Sequence, residues 1–87
     1  MYKYVNELMA FCKDHLKNYK IIEETEENVA VIDFDSKDDK FNVLIDYAGD
    51  NVDKVVVDKK EICFDESATT ATKINTMFKE IMQRAKI

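Results

Sequence analysis

The residues most able to do chemistry in this chain are carboxylates. Asp33 and Asp35 lie in the alternating run NVAVIDFD, residues 28–35, and Asp46 lies in KFNVLIDYA, residues 40–48. Side chains two apart on a strand share a face and stand about 6.8 Å from each other. Both runs therefore predict acids on one side of a sheet, with Val29, Val31 and Leu44 between them. Glu23, Glu24, Glu26 and Glu27 crowd the stretch just before Asn28. Regular negative charge with apolar patches between can imitate a phosphate backbone and dock in a basic groove, where charge raises the association rate and selects basic partners. Asp33, Asp35, Asp46, Glu23, Glu24, Glu26 and Glu27 are accordingly the candidate partner-binding residues. The plainer reading is a solvated sheet face, kept soluble by its charges and guarded against edge pairing.

The acidity is regional. Residues 21–66 hold fifteen acids against five lysines, whereas both ends of the chain carry more lysine and arginine than acid, for a net charge of −5. No basic stripe is available to neutralise phosphates, so direct nucleic-acid binding is disfavoured and the expected partner is a basic protein.

Other chemistries find less support. DFDSKDDKF, residues 33–41, has acids near calcium-loop spacing, but Lys37, Asp38 and Leu44 stand where such a loop needs an acid or Asn, a Gly and a Glu. It reads as a hairpin turn. A single glycine, Gly49, leaves no phosphate-cradling loop. Cys12, Cys63 and His15 are too few and too irregularly spaced for a metal site, and no acid or cysteine pairs with His15 by spacing. The two cysteines read as buried or half-buried reduced thiols. Met9, Met77 and Met82 fall in helical stripes as core residues. No metal or cofactor is expected. Asp46, followed by Asp58-Lys59-Lys60 after an apolar strand, is similar to the pattern of PD-(D/E)xK nucleases. That resemblance implies a Mg²⁺ held by Asp46 and Asp58, water positioned by Lys60, and Glu7 completing the set. The chain departs from the pattern in having no proline before Asp46, and it ends before the helix and strand that usually follow.

The elements that position these residues follow from periodicity. Val5, Leu8, Met9, Cys12, Leu16 and Tyr19 predict an amphipathic helix over residues 2–19. Lys20–Thr25 reads as a short strand, with the acid cluster Glu23–Glu27 and Asn28 turning the chain. In residues 28–35, Ala30, Ile32 and Phe34 point one way and Val29, Val31, Asp33 and Asp35 the other. In 40–48, Phe41, Val43, Ile45 and Tyr47 share one side in the same way. Ser36–Asp39 is a hairpin turn; Gly49-Asp50-Asn51 is the next, with Gly49 or Asn51 able to take positive φ. Residues 52–58 and 61–64 are further strands joined tightly at Asp58-Lys59-Lys60. Asp65, Glu66 and Ser67 are capping types before a helix over 68–85, whose stripe is Ala71, Ile74, Met77, Phe78, Ile81, Met82 and Ala85. Hairpin-length connections demand antiparallel pairing. The expected fold is α+β: an N-terminal helix, an antiparallel sheet of three to five strands and a C-terminal helix, both helices on one face, as a single domain over residues 1–87.

At 87 residues the chain has no run of eighteen apolar residues, hence no expected membrane span, and MYKYVNELMAF lacks the features of a signal peptide. The expected location is the cytoplasm, or the host cytoplasm if the chain is phage-encoded. A bias to lysine, isoleucine, asparagine and aspartate matches AT-rich coding and points to a low-GC bacterium or its phage. In size, acidity and lack of catalytic residues the chain resembles small phage-encoded inhibitors, anti-CRISPR and anti-restriction proteins among them. That resemblance is one of overall character and implies a non-enzymatic inhibitor. The alternatives are a small acidic chaperone or immunity protein, using the apolar part of the open face to cover a partner or to form a homodimer, and the nuclease.

Overall fold

The computed structural model describes residues 2–48 and 51–85. Helix α1 spans Tyr2–His15, followed by strands β1 (Lys20–Thr25), β2 (Val29–Asp35), β3 (Lys40–Ala48), β4 (Asn51–Val57) and β5 (Lys60–Ile62), then helix α2 (Thr70–Ala85). The five strands form one antiparallel sheet in the order β1-β2-β3-β4-β5, a meander in which each strand pairs with its sequence neighbour. This is the α+β arrangement the alternation predicts.

The buried side chains form one cluster. Ala30, Ile32, Phe34, Phe41, Val43, Ile45, Tyr47, Val52, Val55, Val57 and Ile62 come from one face of the sheet, and the helices roof that face with Val5, Leu8, Met9 and Cys12 from α1 and Ile74, Met77 and Ile81 from α2. Phe11 and Phe78 close the seam between the helices, with parallel rings 4.3 Å apart. All described acids and lysines stay out of this core. That is what a small core requires, since an unpaired buried charge costs more than the domain can supply.

Helix α1 ends four residues earlier than its hydrophobic stripe suggests. Leu16 N still donates to Cys12 O (2.7 Å), but Tyr19 N turns to Leu16 O (3.1 Å). Tyr19 is a sheet-side residue instead. Its ring meets Phe34 and Phe41 edge-on at 6.3 and 5.6 Å, and its hydroxyl donates to Asp39 Oδ2 (2.7 Å). His15 donates from Nδ1 to Phe11 O (3.0 Å) and stacks on the Phe11 ring, serving the helix end.

The start of α2 also differs. Thr69, rather than Asp65, Glu66 or Ser67, is the cap: its Oγ1 accepts from Thr72 N (3.2 Å), and its carbonyl takes the first helical bond from Lys73 N (3.0 Å). Asp65 makes the preceding turn, accepting Ser67 N on Oδ1 and Ala68 N on its carbonyl. Ala71 is exposed, so the buried stripe begins at Ile74.

Two details of the sheet escaped the alternation pattern. Asp46 pairs with Lys54 but Tyr47 pairs with Val52, so Asp53 is an extra residue, a bulge that lets both Val52 and Val55 face the core. Lys73 of α2 donates to the carbonyl of Val52 beside it (2.7 Å). The β4–β5 connection is a two-residue turn in which Asp58 (φ 49°) and Lys59 (φ 68°) are both left-handed. Both lie where a primed hairpin turn needs positive φ. Asn51, one candidate for positive φ, sits in β4 with ordinary backbone; Gly49 lies outside the described residues. Of the two cysteines, neither of which is in a disulfide, Cys12 is buried but Cys63 is exposed, against the expectation of shelter for both. Among the described residues no helix is long and apolar enough to cross a membrane.

Candidate functional site

The strand register assigns the open face. Residues alternate with the core positions, so Lys20, Ile22 and Glu24 of β1 share this side with Val29, Val31, Asp33 and Asp35 of β2. Lys40, Asn42, Leu44 and Asp46 of β3 follow, with Lys54 and Val56 of β4 and Glu61 of β5 beyond. Its middle row is apolar and crosses the sheet: Val31 opposite Leu44, Leu44 opposite Val56. Glu24 and Glu61 stand at the two ends of that row. None of the three aliphatic residues is fully buried, and Ile22, one row away, is 43% exposed.

The candidate acids divide as follows. Asp33, Asp35 and Asp46 lie on the open face, as the alternation predicts; Glu24, read with Glu23 as part of the turn, is instead in β1 and joins them there. Glu26 and Glu27 are exposed in the β1–β2 turn, next to the Val29–Asp46 row. Glu23 belongs to the other side. It is opposite Ile32, half-buried on the helix side of β1, with Oε1 shielded and no hydrogen-bond partner among the described residues. Glu23 is therefore withdrawn from the face, because strand pleating sends neighbouring Glu23 and Glu24 to opposite sides. Asp39, in the β2–β3 turn, adds nothing to this face: it turns inward, half-buried, to meet Arg84.

Reading acids alone missed the lysines on the same face. Lys40 Nζ lies 3.9 Å from Asp35, Lys54 Nζ lies 3.2 Å from Glu61, and Lys54 is also the cross-strand neighbour of Asp46. Asp33 and Glu24 have no such neighbour among the described residues. The acids of this side left without an ion pair or a cross-strand lysine among the described residues thus run on a diagonal from Asp33 through Glu24 to the Glu26-Glu27 turn. A shallow depression beside Asp33 is lined by Ile22, Asn42, Asp58 and Lys59.

Asp46 and Asp58, the pair suggested by the nuclease resemblance, are not brought together. Asp46 faces Lys54, four positions before Asp58 along β4, roughly 13 Å at the rise of a strand. Asp58 instead takes a hydrogen bond from Arg84 Nε, and Lys60 Nζ lies 4.0 Å from Glu80. Among the described residues no three His, Cys, Asp or Glu side chains gather as metal ligands.

Among the described residues the most heavily tied polar cluster lies elsewhere, at the C-terminal turn of α2. Arg84 forks onto Asp39 through Nη1 (2.8 Å) and Nη2 (3.0 Å), donates from Nε to Asp58, and lies over the Phe41 ring at 4.6 Å. Arg84 and Tyr19 together hold the Asp39 carboxyl down to about 2. Every strong donor here is already engaged, so this cluster is structural.

No protein-family model matches the chain, and no curated protein or solved structure matches it significantly.

Proposed function

We propose that the chain is a non-enzymatic, acidic protein-interaction module that acts by occupying the basic groove of a nucleic-acid-binding protein, in the manner of an anti-CRISPR or anti-restriction inhibitor. The observation that carries this reading is the unroofed sheet face. It bears Glu24, Asp33, Asp35 and Asp46, with Lys20, Lys40 and Lys54 among them, around a strip of half-buried aliphatics, while both helices lie on the opposite side. Carboxylates in register on a rigid sheet meet a basic groove without first being ordered, which lowers the entropic cost of docking. Asp33, Asp35, Asp46, Glu24, Glu26 and Glu27 are the contact residues; Glu23 is left out. The location in which such a module would work is the cytoplasm.

The test is capture on immobilised protein from a nuclease-treated bacterial lysate across a salt series. The reading expects nucleic-acid-binding proteins, released between about 50 and 200 mM salt as screening takes hold, and displacement of DNA from the captured partner. Asp33→Lys, Asp35→Lys and Asp46→Lys combined should abolish capture while the far-ultraviolet spectrum is unchanged. Undiminished capture by that folded variant would remove the carboxylates from the interface.

The Val31–Leu44–Val56 row supports a second reading, a small chaperone or immunity protein whose contact is apolar. Capture that survives high salt but is lost in Leu44→Asp would select it.

A further inference from the structure

Strand β1 is an open edge. It pairs with β2 on one side and, among the described residues, with nothing on the other. The opposite edge, β5, is three residues long, whereas β1 has six and carries Ile22, the one large apolar side chain exposed among the described residues. An open strand of this length is a template for another strand.

The direction of its free backbone groups is fixed by the hairpin. Glu26 N donates to Val29 O (2.9 Å), which sets Glu26, Glu24, Ile22 and Lys20 with their N–H and C=O toward β2. Ile21, Glu23 and Thr25 therefore offer theirs outward, since alternate residues of a strand point their backbone groups to opposite sides.

We infer that β1 pairs antiparallel with β1 of a second copy of this chain, about a twofold axis at Ile22, to make one continuous ten-stranded sheet. In this register Ile21 of each copy exchanges backbone hydrogen bonds with Glu23 of the other, outward residue against outward residue. Ile22 then meets Ile22 in a close pair that forms no hydrogen bonds, covering the exposed side chain. Lys20 of each copy meets Glu24 of the other, twice over by symmetry, on the open face. Neither Lys20 nor Glu24 has an ion-pair partner within one copy among the described residues.

The neighbouring registers are worse. Centring the pair on Glu23 sets the two Glu23 carboxylates directly opposite each other, which is destabilising. Centring it on Ile21 leaves only residues 20–22 of each strand in the ladder. Shifts by a single residue set outward groups against inward ones and make no ladder at all. Glu23, a half-buried charge on an edge strand, is the kind of residue that discourages indiscriminate pairing. It excludes its own symmetric register and spares the one centred on Ile22. Such pairing also joins two open faces into one surface, and it stands whether or not that surface binds a basic partner.

Charge swapping tests this by sedimentation equilibrium over a concentration series. The wild type should be a reversible dimer. Lys20→Glu alone and Glu24→Lys alone each replace both attractive pairs by repulsive ones and should raise the dissociation constant by about tenfold or more. An equimolar mixture of the two variants regains both Lys–Glu pairs and should dimerise like wild type, as should the double exchange within one chain. Recovery in the mixture also establishes that each variant is folded. A wild type that is monomeric at all concentrations overturns the inference. So does a dimer indifferent to the single reversals, or a mixture that fails to recover.

Discussion

Arg84, in the last turn of α2, binds Asp39, in the turn between β2 and β3, through both terminal nitrogens at 2.8 and 3.0 Å. Its Nε reaches Asp58 in the β4–β5 turn. One side chain thus ties the end of the last helix to two hairpin turns on the same margin of the sheet, and Tyr19 adds the α1–β1 connection by donating to the same carboxylate (2.7 Å). A forked pair of this kind fixes geometry more firmly than a lysine could.

The Asp39 carboxyl is held at about 2, against 3.8 for a free side chain, first by the Arg84 hydrogen bonds and then by Tyr19. A depressed carboxyl contributes stability above its unfolded value and loses it as pH falls through the folded one. The contribution should be complete above pH 4 and disappear toward pH 2. Urea midpoints of wild type and Asp39→Asn, measured from pH 7 downward, should differ most near neutrality and converge near pH 2. Parallel curves across that range would show that the carboxylate charge is not what the cluster uses.

Replacing Arg84 should separate fork from charge. Arg84→Ala loses the contact over Phe41 and the packing of the side-chain stem as well as the ion pair, and should destabilise by about 1–2 kcal/mol. Arg84→Lys keeps a cation but cannot bind Asp39 and Asp58 together, and should recover less than half of that loss. Full recovery in the lysine variant, read from denaturant midpoints, would mean that only net charge matters there.

Much of this fold was legible because the strands alternate cleanly. Phe41, Val43, Ile45 and Tyr47 face the core as their period of two requires, and β3 begins at Lys40 and ends at Ala48 as read from the sequence. What the pattern hid were places where a long-range contact overrides local periodicity. Tyr19 sits in step with the α1 stripe, yet the aromatic edge contacts with Phe34 and Phe41 and the Asp39 bond pull it onto the sheet. The Asp53 bulge breaks alternation by one residue and leaves no composition signal. On the candidate face, the positions of Asp33, Asp35 and Asp46 followed from pleating alone, whereas Glu24, read as part of the turn, joined the face because β1 runs on to Thr25. Lys40 followed from the same pleating, an even number of steps from Asp46 in β3, but its pairing with Asp35 and the place of Lys54 opposite Asp46 depend on register between strands. Lys20 could have been found by writing out β1 and β2 with a two-residue turn and reading across; the same exercise for β3 and β4 sets Asp53 opposite Asp46, so Lys54 was hidden by the bulge.

The two thiols should behave oppositely. Burial pushes Cys12 from 9.0 up to about 12, while Cys63 is exposed. Only the thiolate reacts, so an aromatic disulfide reagent at pH 8 should modify Cys63 within minutes and leave Cys12 until the protein is unfolded. A raised thiol contributes stability below its unfolded value and loses it above. Cys12→Ala should therefore flatten the decline in stability as pH rises from about 9 toward 12, even though its smaller side chain lowers stability near neutrality. Two rapidly labelled thiols in the folded protein would contradict the burial of Cys12.

The β4–β5 turn carries removable backbone strain. Asp58 at φ 49° and Lys59 at φ 68° are both left-handed, and such backbone costs a residue bearing a Cβ about 1–2 kcal/mol relative to its preferred region. Asp58 has a reason to stay, since it accepts from Arg84. The Lys59 side chain makes no hydrogen bond or ion pair among the described residues, so nothing offsets its strain. Lys59→Gly relieves that cost at the expense of roughly 0.5–1 kcal/mol of extra chain entropy in the unfolded state. The net expectation is a gain of about 0.5 kcal/mol, seen as a higher denaturant midpoint with an unchanged slope. Asp58→Gly, by contrast, also loses the Arg84 contact and should gain less or lose stability. If Lys59→Gly were the more destabilising of the two, the turn would have to be held by the lysine side chain rather than by the backbone geometry of a primed turn.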